Sequence, residues 1–158
     1  MLRQVLALLV FVLIVAAVAA FGAQFAPGEW YAAMNKPAWN PPSWVFGPVW
    51  TTLYLMMAFA AWLVWLTGDS RRGEALSWWG LQLVLNGAWS WLFFGLHRPG
   101  WALAEIGMLW LAIVLTIRSF RAIRPLAGWL LAPYLAWVTF AMVLNFTLWQ
   151  LNGGRLLG

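Results

Sequence analysis

Any chemistry in this 158-residue chain has to be done with very few groups: it has one histidine and no cysteine, against fifteen tryptophans. His97 stands beside Arg98 and Pro99 at the edge of an apolar segment, which reads as an interfacial position rather than a haem or metal ligand. Glu105 is the one carboxylate well inside an apolar segment. A long side chain there can snorkel to the interface, or it can anchor a ligand at a pocket mouth. No Ser/His/Asp set, phosphate-binding glycine loop or paired carboxylates can be found, so conventional hydrolysis and metal catalysis have no residues to run on, and no metal site is expected. What remains is binding, or oxidation of a bound guest with tryptophan as the redox-active partner.

The amides are more informative. Gln82, Asn86 and Ser90 recur at i, i+4 and i+8 and share one helical face at about 100° per residue, with Trp79 and Phe93 extending it. Amides in a membrane helix are costly unless partnered, so this face points into a bundle or a cavity. Gly73, Gly80 and Gly87 repeat every seven residues on another face, and small residues permit close helix approach. The stripe can serve an internal neighbour or a second protomer, and a homodimer interface is the expectation. Further faces run through Phe46, Trp50, Leu53, Tyr54 and Met57, and through Pro133, Trp137, Ala141, Leu144 and Leu148 with Tyr134 and Asn145 at the edge. Ala16, Ala19, Ala20 and Ala23 offer small residues. Together these stripes describe a cavity walled by aromatics, with a few amides to orient a flat apolar guest.

The elements that must position these faces are membrane helices. The chain is 65% hydrophobic and only 8% charged, with a mean hydropathy of +0.81, whereas a soluble domain carries roughly a quarter charged residues. Five apolar segments are long enough to span, at about 20 residues each: residues 2–24, 43–66, 74–96, 100–120 and 126–151. The expected fold is therefore all-α, a single membrane domain over 1–158. It is a bundle of five transmembrane helices with a long structured loop, residues 26–42, between the first two and a short C-terminal tail. The first segment also has the basic start and small residues of a signal peptide, but its apolar run is long enough to span, and retention is expected.

Positive charge sits at segment ends and not in a stripe alternating with aromatics, which argues against nucleic-acid binding. Arg3, Arg71, Arg72, Arg118, Arg121 and Arg124 fall on one side, and Lys36, Arg98 and Arg155 on the other. The bias places the N-terminus in the cytoplasm and the long loop outside.

That loop, EWYAAMNKPAWNPPSWVFGPVW, divides into parts. Residues 27–35 can form a short helical turn with Glu29 near its N-terminus. Residues 36–42 read as a stiff extended bridge, because residues before proline avoid the helical region. Ser43 is positioned to cap the next helix, and Pro48 falls early enough in that helix to do limited damage. Such a loop is a preshaped lid.

The residues from Trp30 to Tyr54, W-Y-x-x-M-x-K-P-x-W-x-P-P-x-x-V-F-x-P-V-W-T-x-L-Y, resemble the signature of the TspO/MBR family, the tryptophan-rich sensory proteins whose animal member is the mitochondrial translocator protein. QLVLNGAWSWLFFG (82–95) and PYLAWVTFAMVLNFTLWQLN (133–152) resemble the family's third and fifth helices. The resemblance implies a five-helix bundle, often dimeric, with a tetrapyrrole or sterol pocket roofed by the loop, and a retained first helix. It carries family pocket positions onto Trp30, Tyr31, Trp39, Trp50, Asn86, Trp137 and Ala141, and Glu105 falls where several relatives have an acid. It also implies protoporphyrin IX as a ligand, with no required cofactor, and light-driven degradation in some relatives through tryptophans matching Trp50 and Trp137. The animal cholesterol motif is incomplete here, since Phe146 and Gln150 stand in place of its tyrosine and cation.

The expected ligand-binding set is thus Trp30, Tyr31, Trp39, Phe46, Trp50, Tyr54, Asn86, Phe93, Glu105, Tyr134, Trp137, Ala141 and Leu144. Three functions follow: a porphyrin receptor in a bacterial cell membrane, a photo-oxidative enzyme using Trp50 and Trp137, and a transporter of porphyrins or sterols. The last lacks the inverted repeat usual in such proteins.

Overall fold

The computed structural model describes residues 1–25 and 27–154. Its helices are α1 (Leu2–Ala23), α2 (Glu29–Ala33), α3 (Ser43–Leu66), α4 (Arg72–Ser90), α5 (Pro99–Ile123), α6 (Pro125–Trp129) and α7 (Ala132–Leu151). A single π-helical stretch, Trp91–Gly95, continues α4. Among the described residues there is no strand. Arg155 and the end of the expected tail lie outside the described residues, as does Ala26 of the loop.

Among the described residues, four stretches are long and apolar enough to cross a membrane by length and composition: α1, α3, α5, and α6 with α7 taken together over Pro125–Leu151. The more polar α4, with Glu74, Ser77, Gln82 and Asn86, packs along α5 and against α1. Its amides are shielded by neighbours and not by lipid. Short connections join α3 to α4, the π stretch to α5, and α5 to α6. Helix α1 lies along α3, the end of α3 beside the start of α1 where Trp62 Nε1 donates to the Gln4 carbonyl at 2.9 Å, and α7 lies along α5.

The core centres on Met57, Ala58, Ala61 and Val64 of α3, Trp79 and Leu83 of α4, Ile106, Leu109 and Ile113 of α5, and Tyr134 and Val138 of α7. The inward face of α1 is Phe11, Val15 and, partly buried, Val18, not the alanine stripe. Ala16, Ala20 and Ala23 are exposed, because the bulky residues at i, i+4 and i+7 bury more apolar area.

Three local features differ from the sequence expectation. The fifth segment is broken at Leu130–Leu131. Pro133 has no N–H to offer the Trp129 carbonyl and its ring crowds that position, so the chain turns and restarts with Pro133 in the first turn of α7. Residues 36–42 are not uniformly extended, since the Asn40 amide donates to the Pro37 carbonyl at 2.9 Å and closes a turn. Ser43 is the first residue of α3 and makes no cap hydrogen bond, the capping position being Pro42. Pro48 does lie inside α3, where Thr51 and Thr52 donate their hydroxyls to the Gly47 and Pro48 carbonyls at 2.9 Å each.

Candidate functional site

The site forms where α2 lies across one end of the bundle. Glu29 opens this one-turn helix, and Lys36 closes it by donating from Nζ to the Ala32 and Met34 carbonyls at 3.0 and 3.2 Å. The same ammonium lies 4.8 Å from the centre of the Tyr31 ring. Tyr31 packs edge-on against Phe93 and Phe94 and donates its hydroxyl to Asn40 Oδ1 at 3.0 Å. Burial pushes the Tyr31 hydroxyl up from its ordinary pKa, and the bond to Asn40 offsets part of that.

Below the lid, the π stretch sets the aromatic floor. Its wide turn, with Leu96 N–H donating to the Trp91 carbonyl at 2.8 Å, brings Phe93 inward to 1% exposure and stacks it on Trp89 at 5.1 Å. π-bulges inside helices recur at functional sites. Tyr31, Phe46, Trp89, Phe93, Phe94, Trp137, Phe140, Ala141, Leu144, Asn145 and Leu148 line a cavity of ≈ 30 Å³, room for about one water. The walls are aromatic edges and faces: Phe46 meets Trp137 at 5.9 Å, and Trp137 meets Phe140 at 5.4 Å. Asn145 is spoken for, accepting from Trp89 Nε1 at 3.0 Å and donating to the Pro99 carbonyl at 2.8 Å.

Of the residues expected to bind a ligand, Tyr31, Phe46, Phe93, Trp137, Ala141 and Leu144 line this one cavity. The others are placed differently. Trp30 does not line it: its ring stacks on His97 at 4.3 Å with a 13° interplanar angle and meets Phe93, from outside the cavity, edge-on at 5.7 Å. Trp39 is 47% exposed, with its ring against Phe140 at 5.9 Å.

Trp50, Tyr54, Asn86 and Tyr134 form a second layer deeper in the bundle. Trp50 lies 5.5 Å from Tyr54 and 6.2 Å from Tyr134. Tyr54 donates its hydroxyl to Asn86 Oδ1. Asn86 Nδ2 donates to the Tyr134 hydroxyl at 3.1 Å, which in turn donates to Gln82 Oε1 at 2.8 Å. The amide face of α4 is thus bonded between helices. Tyr134 and Asn145, expected at the edge of their face, are each 1% exposed, at its centre; Pro133 is exposed.

Glu105 neither snorkels nor reaches a pocket mouth. It is 5% exposed and does not line the cavity. Its two carboxylate oxygens are the only buried side-chain polar atoms without a hydrogen-bond partner among the described residues. The expected binding set omits five residues that line the cavity, Trp89, Phe94, Phe140, Asn145 and Leu148; Trp89 and Phe140 are one turn from Phe93 and Trp137, and that spacing is the available signal.

On the glycine stripe, Gly87 is used within the chain: a Cβ there would meet Phe21 of α1 at 3.3 Å. Gly80 and Gly73 have no described atom within 4 Å of a Cβ.

An all-helical membrane bundle with an aromatic cavity beneath a short lid helix defines a class of small membrane protein. Within it, the sequence model of the TspO/MBR family matches residues 8–150. Similar proteins include the tryptophan-rich protein TspO of Chlorobaculum tepidum, 42% identical over 157 residues (95% of this chain, 98% of the relative). The tryptophan-rich sensory protein of Cereibacter sphaeroides is 43% identical over 134 residues (85% and 84%), and the human translocator protein is 42% identical over 139 residues (84% and 82%). The chain belongs to the TspO/MBR family.

Proposed function

We propose that this chain is a membrane receptor for porphyrins, protoporphyrin IX among them, and for similar flat hydrophobic molecules, held in the aromatic cavity under α2. The observation that carries the reading is the cavity wall itself, in which Tyr31, Phe46, Trp89, Phe93, Trp137 and Phe140 converge. Rings of this kind offer stacking and edge contacts to a planar guest beyond simple area burial. At ≈ 30 Å³ the cavity is collapsed around its own side chains, so occupancy requires the lid to lift and the rings to turn. Binding is then coupled to lid movement. The test is quenching of tryptophan fluorescence by protoporphyrin IX in nanodiscs. Saturable quenching that is lost in the Trp50→Ala/Trp137→Ala double variant supports the reading, and no saturable quenching ends it.

A second reading, light- and oxygen-dependent oxidation of the bound porphyrin, is favoured by the packing of Trp50 against Tyr54 and Tyr134. An oxidised Trp50 would have two tyrosines at hand to re-reduce it. Loss of the porphyrin absorption band under illumination should slow in Trp50→Phe and Trp137→Phe; equal bleaching in both variants reduces the reaction to free-solution photochemistry.

Association and orientation complete the proposal. The open side of Gly73 and Gly80 suits close approach by α4 of a second copy, and Gly80→Leu should convert a dimer to a monomer in native mass measurement. The arginine-rich end should be cytoplasmic. Labelling of Ser70→Cys, in the exposed turn at that end, from the outside of intact cells would reverse that assignment.

A further inference from the structure

The lid helix is held at both of its ends by residues, Asn152 and His97, that do not themselves line the inner cavity, although Trp30 also meets the lining Phe93 edge-on at 5.7 Å. At its C-terminal end, the Asn152 side chain pairs with the backbone of Asn35: the Asn35 N–H donates to Asn152 Oδ1 at 2.9 Å, and Asn152 Nδ2 donates to the Asn35 carbonyl at 3.0 Å. The remaining Nδ2 hydrogen goes to the Leu148 carbonyl at 2.8 Å, which fixes the amide to the end of α7. A primary amide has two donors and one carbonyl, so the clamp uses the group fully and joins positions 117 residues apart.

At its N-terminal end, Trp30 stacks on His97. His97 has φ 54°, the one non-glycine residue with positive φ among those described. This left-handed conformation is uncommon outside glycine, with Asn, Asp and His the usual exceptions. It stands two residues beyond the π stretch, after Leu96, and the Arg98 N–H returns to the Leu92 carbonyl at 3.0 Å. The turn therefore presents the imidazole in a fixed place. Between the two clamps lies a cleft of ≈ 540 Å³ bounded by Trp30, Met34, His97, Pro99 and Asn152 among others. Tyr31, on the other face of the same short helix, closes the inner cavity. One turn of helix thus separates a roomy outer cleft from a collapsed inner cavity.

We propose that Asn152 and His97 are positioning residues that latch α2 shut, and that releasing either one opens the inner cavity to the outer cleft. Neither residue touches the inner cavity, so their effect on a guest is through the lid. The latch is a property of the empty protein and stands or falls apart from any porphyrin.

The chain has no cysteine, so Ala141→Cys places a single thiol on the cavity wall, and Ser70→Cys, in a separate variant, a reference thiol in the exposed turn at the opposite end. The rate of maleimide modification is read in nanodiscs without ligand. Asn152→Ala and His97→Asn should each raise the rate at the cavity-wall thiol roughly tenfold, the scale of losing two hydrogen bonds or a ring stack, with no change at the reference thiol. His97→Asn keeps a residue tolerant of the left-handed backbone, which separates loss of the ring from loss of the turn. Asn152→Asp sets a carboxylate oxygen against the Asn35 and Leu148 carbonyl oxygens that now accept from Nδ2, and should raise the rate at least as far as Asn152→Ala. Unchanged rates at the cavity-wall thiol in both variants overturn the latch. Acceleration at both thiols also overturns it, because it shows general loosening and not a lid.

Discussion

The two ends of the bundle are closed in different ways. At the end where α3 meets α4 and α5 meets α6, the connections are residues 67–71 and the single residue Arg124. Arginines pin them down. Arg71 bonds Asp69 and reaches the Ala122 carbonyl at 3.2 Å. Arg72 donates to the Trp65 carbonyl at 3.2 Å, while Arg3 and Arg121 lie over the rings of Trp65 and Trp129. At the other end residues 24–42 join α1 to α3, and the lid rests on ring contacts and on one amide clamp. The first end is fixed by short chain and charge. The second is held by contacts that can be given up one at a time without unfolding a helix.

The comparison breaks most visibly at Gly128. A Cβ there would meet Arg121 side-chain atoms and the Ile117 carbonyl oxygen at 3.0 Å, and the carbonyl belongs to the α5 backbone and cannot swing away. Gly128→Leu should cost about 2–3 kcal/mol or more, the scale of overpacking a filled interior, measured as thermal unfolding in detergent. Gly47, at the lid end, has no described atom within 4 Å of its would-be Cβ. Gly47→Ala should be neutral or stabilising by up to about 1 kcal/mol, through helix propensity alone. Equal losses at the two glycines would erase the distinction between a packed end and an open one.

Between the ends, the polar layer should behave as structure. Tyr134→Phe leaves Asn86 Nδ2 and Gln82 Oε1 without their partner. The expected cost is about 1–2 kcal/mol, above the average for interhelical hydrogen bonds in membranes because two groups are orphaned. A cost near zero in the same unfolding measurement would mean that water or lipid already serves these groups. Trp39→Ala, by contrast, removes a ring that is half in solvent and should leave stability within about 0.5 kcal/mol. Its effect should appear in protoporphyrin quenching, so a large loss of stability without a change in quenching would place Trp39 in the packed part of the molecule.

Much of this is legible in the sequence, for reasons that also explain the failures. The long helices are marked by apolar length and by charged or proline-containing breaks, so the expected segment 43–66 has the boundaries of α3. The amide face follows from the cost of polar groups in a membrane, and the family pattern locates Trp137, Ala141 and the lid. The π stretch is not legible, because WLFFG is apolar throughout and reading by a 3.6-residue period assumes the ladder it departs from. The break before α7 is signalled by Gly128 and Pro133 but hidden inside a run of apolar residues. Glu105 defeats the expectation because distance from a helix end is not reach to the interface when the face it occupies is covered by neighbouring helices. The pairing of Asn35 with Asn152 joins distant positions and leaves no local trace.

The smallest effect belongs to the arginine-pinned end. Hydrogen bonds from the Arg71 side chain and backbone hold the Asp69 carboxyl down at about 2. A carboxyl whose pKa is lower in the folded chain than in the unfolded one stabilises the fold above its unfolded value, near 3.9, and loses that contribution as pH falls toward 2. Asp69 sits in an exposed turn, where such pairs contribute little. Between about pH 6 and pH 4 the unfolding temperature of Asp69→Asn should therefore run parallel to that of the parent and slightly below it. Between about pH 4 and pH 2 the parent should lose its small advantage and the two curves should meet. If they stay separated down to about pH 2, Asp69 acts through its turn geometry, accepting the Arg71 N–H at 2.8 Å, and the pinning of this end rests on backbone shape rather than on charge.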